Sequence, residues 1–240
     1  MCENYQTYCE QITKLLKQMQ TIKKVRQIGP GQGSLRGQIH SVKNETSNDF
    51  ESALERDYFS LLEFDSNVET YIEQPVEIKY EFEGKTRHYT PDVLIYYSEN
   101  RGGEIVRCPL LVEVKYRDNI RKKWKEYKPK FRAGISYALE KGWKFKIITE
   151  REIRTSYLEN VKFLLSYKSN EYIDFNDKQL LMKWMTKLGK TNPAELTMAA
   201  AWDKNKQAEL LYCLWHLVST MNIGCDLHKP LNMKSELWNL

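Results

Sequence analysis

The sequence is short of several things, and each shortage excludes a class. No run of about 18 apolar residues occurs, so no membrane-spanning segment is expected. The opening residues, M-C-E-N-Y-Q, carry no basic stretch followed by an apolar one and do not read as a secretory signal. The five cysteines (Cys2, Cys9, Cys108, Cys213, Cys225) are odd in number and none sits in a C-x-x-C pair. The four histidines (His40, His88, His216, His228) show no ligand spacing either. These features predict reduced thiols in a cytoplasmic protein and exclude a structural zinc site. No internal repeat and no low-complexity tract is found. The glycine string at 29–33, G-P-G-Q-G, lacks the G-K-[ST] ending and a preceding strand, so it is not a phosphate loop.

What is present is a soluble globular composition over 240 residues, 41% hydrophobic and 29% charged, enough for one large or two modest domains. The net charge of +5 says little, but its distribution says more. Residues 51–83 hold ten acids against two bases, and residues 115–132 hold nine bases against two acids. Such a pairing suits a metal site beside a phosphate track, although two solvated faces that neutralise each other produce the same pattern.

Apolar residues at three- and four-residue steps (Tyr5, Tyr8, Ile12, Leu15, Met19, Ile22) predict an amphipathic helix over 3–25. Residues 29–50 read as a long polar loop. A helix is expected over about 50–64, capped by Asn48 with Glu51 three residues on. Strands are expected over 68–74, 76–82, 91–97 and 109–116. A helix over about 118–141 follows, kinked or interrupted by Pro129, and then a strand over 143–149. This order predicts an α/β fold, a mixed sheet flanked by helices. Beyond residue 150 the chain reads as almost wholly helical, with caps at Asp174, Asn192 and Asp203. The polar link Lys168-Ser169-Asn170 suggests domains at 1–28, 29–168 and 169–240. Residues 169–240 carry no net charge, which favours a protein partner there, and Trp202, Trp215 and Trp238 are expected in its core.

The chemistry is expected in Pro91-Asp92 and in Glu113-Val114-Lys115. Residues two apart on a strand share a face, so Glu113 and Lys115 point the same way within an otherwise apolar run. Charges there are costly unless paired or used. If the Asp92 strand is a neighbour, two carboxylates lie side by side and call for a cation, for which Mg²⁺ is the natural hard-oxygen choice. Lys115 would neutralise charge on a reacting phosphate, or act as a base if its pKa were lowered. Glu55, on the first helix, is a third candidate carboxylate. Among the basic residues that follow, Lys122 and Lys123 are the candidate phosphate contacts, while Trp124, Tyr127 and Phe131 read as a buried stripe.

With those residues in view, 50–150 resembles the PD-(D/E)xK nuclease superfamily. More narrowly, F-E-S-A-L-E-R-D-Y (50–58), Y-T-P-D-V-L-I (89–95) and L-V-E-V-K (111–115) resemble TnsA, the endonuclease of heteromeric transposases, including some CRISPR-associated ones. The resemblance covers roughly 30–165 and, more faintly, the C-terminal region. It implies a restriction-endonuclease-like core with catalytic Glu55, Asp92, Glu113 and Lys115, of which Glu55, Asp92 and Glu113 hold Mg²⁺ (or Mn²⁺ in its place). It further implies cleavage of the 5′ strands at transposon-end DNA, beside a TnsB-type transposase and a TnsC-type ATPase regulator, and a winged-helix-like C-terminal domain. Some family members have Gln where this chain has Glu113, and Gln74 before Pro75 reads as structural. A restriction- or resolvase-like nuclease acting alone, and a non-cutting scaffold that binds the transposase and its regulator, are the alternatives.

Overall fold

Alternation and turn chemistry shape the first half of the chain. In the computed structural model, which describes residues 36–98, 107–168 and 173–240, a hairpin of β1 (Gly37–Ser41) and β2 (Thr46–Phe50) leads into helix α1 (Ala53–Phe64). The helix expected over 3–25 lies outside the described residues. Where a polar loop is expected up to residue 50, the hairpin takes its place. Its turn residue Asn44 bonds β3 (Val68–Glu73): Nδ2 donates to the Tyr71 carbonyl at 2.7 Å, and Oδ1 accepts from the Thr70 hydroxyl at 2.6 Å. Polar side chains thus do the work that an apolar pattern would otherwise signal.

β4 (Ile78–Phe82) and β5 (Lys85–Tyr89) form a second hairpin, in which β5 is an addition to the expected strands. Glu83 and Gly84 both have positive φ (53° and 70°), the backbone that a two-residue hairpin turn requires. K-T-R-H-Y is exposed except at Tyr89, so it carries no alternation by which to be recognised.

β6 (Val93–Tyr97) and β7 (Leu110–Val114) are apolar because both faces are covered. They lie at the centre of a four-stranded sheet in the order β3-β6-β7-β8, with β8 at Lys144–Ile148. β6 runs antiparallel to both β3 and β7, with Val93 opposite Val112, whereas β7 and β8 are parallel, with Glu113 opposite Ile147. Between β7 and β8 the expected single helix is two, α2 (Arg117–Lys122) and α3 (Trp124–Glu140). The break falls at Lys123 (φ −114°, ψ 27°), and Pro129 is accommodated inside α3. Ile78, Tyr89, Leu94, Tyr96, Leu111, Ala138 and Trp143 form one buried core here.

The chain divides into two compact units. The first comprises the described parts of Met1–Arg56 and Ser66–Glu150; the second comprises Asp57–Asp65 and Arg151–Leu240. The compositional boundary at 168/169 falls inside the second unit. That unit contains α4 (Glu150–Ile153) from Arg151 onward, α5 (Ser156–Leu165), α6 (Phe175–Leu188), β9 (Lys190–Thr191), α7 (Pro193–Ala200), α8 (Lys204–Ser219), β10 (Ile223–Cys225) and β11 (Leu237–Asn239). The three expected caps are in place: Asp174, Asn192 and Asp203 each accept from a first-turn backbone amide. The expectation of an almost wholly helical region is corrected by the small sheet β10-β11-β9. Its strands are two or three residues long, too short for any alternation. Trp238 lies across Gly224, where an added Cβ would sit 2.2 Å from the indole nitrogen. Trp215 is buried as expected, but Trp202 is fully exposed, just ahead of the α8 cap, a correction to its expected place in the core.

Candidate active site

The end of β7 holds three charged side chains together. Asp92 precedes β6, and its backbone is fixed on both sides. Its amide donates to the Val112 carbonyl (3.1 Å) and its carbonyl accepts from the Gln74 amide (2.9 Å). Gln74 adopts a left-handed backbone (φ 46°) to do so, in keeping with a structural role. The Asp92 side chain then turns toward β7, where Oδ2 accepts from the Val114 amide at 2.6 Å. Lys115 Nζ lies 3.2 Å from Asp92 Oδ2, 3.4 Å from Asp92 Oδ1 and 3.2 Å from Glu113 Oε1. The Asp92 and Glu113 carboxylates are therefore bridged by one ammonium, Asp92 from just ahead of β6 and Glu113 from the antiparallel neighbour β7. Glu113 and Lys115 share a face, as strand geometry requires.

Glu113 is almost fully buried, and its second oxygen accepts from the Tyr89 hydroxyl at 2.7 Å. Burial pushes its carboxyl up to about 7. Asp92 adds to that rise, while Lys115 and Tyr89 oppose it. Burial and the Glu113 charge raise the Tyr89 hydroxyl well above its ordinary range. Burial by itself would lower the Lys115 pKa, but Asp92, Glu113 and Glu55 outweigh it and hold the amine charged. Without a cation in place, these surroundings raise the Lys115 pKa rather than lower it.

Glu55 lies in the first turn of α1, where Ser52-x-x-Glu55 forms the helix start. The Glu55 amide donates to Ser52 Oγ (3.1 Å), and the Glu55 carboxylate accepts from Ser52 Oγ (2.9 Å) and the Glu51 amide (2.8 Å). The expected Asn48–Glu51 cap is corrected, because Asn48 lies within β2. Burial and then the Asp92 charge push the Glu55 carboxyl up to about 7, so it senses the cluster while both its oxygens are engaged at its own helix start. Among the described residues no group of three His, Cys, Asp or Glu side chains is gathered to hold a metal. The fold thus brings Asp92, Glu113 and Lys115 together and leaves Glu55 beside them.

Lys122 ends α2 and Lys123 separates α2 from α3; both are exposed, and no direct tie joins them to the cluster among the described residues. The aromatic stripe is only partly buried. Phe131 is inside and stacked on Tyr127 (5.5 Å), whereas Trp124 is about half exposed (48%). Tyr89 and Ser52 belong to the site and were not singled out in the sequence. Ser52 has a legible signal in S-x-x-E ahead of an apolar run, whereas Tyr89 sits in an otherwise polar strand and has none.

The donor set fits a divalent cation of the Mg²⁺ type. It offers hard carboxylate oxygens from Asp92 and Glu113, and that ion needs only one or two carboxylates besides water and phosphate. Three of those oxygens already surround a cation, the Lys115 ammonium.

A mixed sheet flanked by helices, with an aspartate before one central strand and E-x-K on the next, defines a nuclease of the restriction-endonuclease-like fold. The family described as TnsA-like endonuclease N terminal matches residues 65–150, and TnsA endonuclease C terminal matches residues 152–227. The chain belongs to the TnsA endonuclease family and is thereby an endonuclease subunit of a transposase. The junction of the two matches coincides with the division of the structure at Glu150/Arg151, and Glu55 lies ahead of the first match. No curated protein sequence matches the chain. No helix among the described residues is long and apolar enough to cross a membrane.

Proposed function

We propose that this chain is a Mg²⁺-dependent DNA endonuclease, with Mn²⁺ able to substitute, that hydrolyses the 5′ strands at transposon ends in the cytoplasm. Its partners in this reading are transposon-end DNA, a TnsB-type transposase and a TnsC-type ATPase regulator. The observation that carries it is the convergence of Asp92, Glu113 and Lys115 at the end of β7, with Lys115 Nζ 3.2 Å from each carboxylate. Asp92 and Glu113 would hold the cation, and Glu55 would join them only by giving up bonds to Ser52 and the Glu51 amide. Bound there, the cation would lower the pKa of a water and offset charge on the phosphate.

The remaining work falls to the chain's own groups. The Val114 amide and the backbone bonds at Asp92 fix one carboxylate. Lys115, kept charged by its neighbours, offers its ammonium to the negative charge that develops on the phosphate oxygens during in-line attack. Lys122 and Lys123 would contact flanking phosphates, which position DNA without reading its sequence. The zero net charge of 169–240 suits a protein-binding role for that region.

The test is strand-specific cleavage of labelled transposon-end DNA in Mg²⁺, with the chain alone and with both partner proteins. The 5′ cut is expected only in the full mixture. Asp92→Ala should reduce it by more than about a hundredfold, since a ligand matters at least as much as the groups that orient one. Sequence-specific or junction cutting by the chain alone would favour the solitary nuclease. No cutting at all, with Asp92→Ala leaving transposition unchanged, would leave the scaffold reading in its place.

A further inference from the structure

Glu113 has two oxygens and two different partners. Oε1 faces Lys115 at 3.2 Å, on the side of Asp92, while Oε2 accepts from the Tyr89 hydroxyl at 2.7 Å. Tyr89 ends β5, opposite Ile78, and its ring belongs to the buried core with Leu94, Leu111, Ala138 and Trp143. A phenylalanine would fill that space equally well, so what tyrosine adds is the hydroxyl. The same core contains Tyr96, whose buried hydroxyl has no hydrogen-bond partner among the described residues. This core therefore accommodates a tyrosine without a bond, and the bond at Tyr89 calls for its own explanation. A second feature supports the placement. Gly134 of α3 faces the Tyr89 ring, and a Cβ there would lie 3.1 Å from Tyr89 Cε1 and 2.7 Å from Phe145 Cε2. The helix comes this close to the ring because position 134 has no side chain.

We propose that Tyr89 is a positioning residue for Glu113. Its hydroxyl holds Oε2 and so turns Oε1 toward Lys115 and the divalent cation, and Gly134 makes room for the ring that delivers it. The inference rests on the metal-nuclease reading above. Its physical basis is general: a carboxylate ligand rotates freely about its last bond unless a neighbour fixes it, and ligands fixed in advance bind metal more tightly.

The experiment uses the full chain. Mn²⁺ binding without DNA is measured by calorimetry, and the Mg²⁺ dependence of end cleavage is measured in the full mixture. Tyr89→Phe, Gly134→Ala, Tyr96→Phe and Asp92→Ala are compared, each with a thermal melt to verify folding. Tyr89→Phe is expected to weaken Mn²⁺ binding by about tenfold and to raise the half-maximal Mg²⁺ concentration by the same factor, the low end for groups that orient a ligand. Cleavage at saturating Mg²⁺ should be nearly restored, a split that a general packing defect would not produce. Gly134→Ala should shift in the same direction, and Tyr96→Phe should leave Mn²⁺ affinity unchanged. Wild-type Mn²⁺ affinity in Tyr89→Phe, with Asp92→Ala impaired, would overturn the positioning role and leave the nuclease reading standing. Wild-type affinity in both would remove the metal reading and this inference with it.

Discussion

Each unit of the molecule buries charge, and the two do so with opposite balance. In the first, Asp92 and Glu113 share one cation, Lys115, among the described residues, with Glu55 beside them. Negative charge is in surplus, and burial together with Asp92 raises the carboxyls of Glu113 and Glu55. In the second, Asp57 is also buried but meets two cations, Arg154 Nε at 2.9 Å and Lys162 Nζ at 3.0 Å, the latter also 3.6 Å from Glu159 Oε1. Burial would raise the Asp57 carboxyl, but Lys162 and Arg154 outweigh it and the net shift is downward. Both arrangements satisfy the rule that buried charges are paired. Only the first leaves unmet demand for positive charge, and such demand is what a metal or a reacting phosphate answers. On the proposed reading, the difference separates an ion cluster that holds the fold from one that receives a cation or a phosphate.

The largest expected effect on that contrast comes from stripping the second cluster. Replacing Arg154 and Lys162 together by alanine removes both of these cations from Asp57. Both cations are more than a third exposed, so the cost should be about 2 kcal/mol, below the ~3–5 kcal/mol of a fully buried pair. Urea unfolding measures it, and a cost near zero would mean that the Asp57 pairing holds nothing together.

The reverse is expected at the first cluster. Glu113 and Glu55 bind a proton more tightly folded than unfolded. The metal-free protein should therefore lose stability as the pH rises from the ordinary carboxyl value of 4.5 to about 7. Asp57 works the other way, contributing stability above 3.8 that is lost as the pH falls through its lowered value. In EDTA, Glu113→Gln should flatten the decline toward neutral pH and gain about 1 kcal/mol there, with no gain near pH 5. Thermal midpoints across this range, with and without Mg²⁺, provide the measurement. Parallel curves for Glu113→Gln and the unaltered chain would show that the first cluster is not crowded with negative charge.

The smallest effect concerns the basic surface after β7. Lys122→Ala and Lys123→Ala should each weaken DNA binding alike on any sequence and reduce the slope of log affinity against log salt by about 1. Unchanged slopes would assign both lysines to solvent.

The elements most legible in the sequence were those with a period or a punctuation mark. Strands β3, β6, β7 and β8 stood out by their apolar residues, and α6, α7 and α8 by their Asp174, Asn192 and Asp203 caps. What escaped was polar or short. β5 is exposed along nearly all its length, the β1–β2 hairpin is tied down by Asn44, and the strands of the small sheet cannot display a pattern in two or three residues. At the site, the spacing of Glu113 and Lys115 was enough to place them on one face. The contribution of Tyr89 was invisible, because it comes from a different hairpin and depends on a glycine 45 positions further along.

The sequence by itself therefore determined the α/β class, the strand that carries Glu113 and Lys115, and the pairing of their directions, because these follow from local periodicity. Tertiary structure alone decided three things: that Asp92 lies against that strand, that Glu55 is engaged by Ser52 at its own helix start, and that Lys115 meets both the Asp92 and the Glu113 carboxylates. The reason is physical. Hydrogen-bond partners, burial and electrostatic balance depend on which segments meet in space, and no spacing along the chain encodes that meeting.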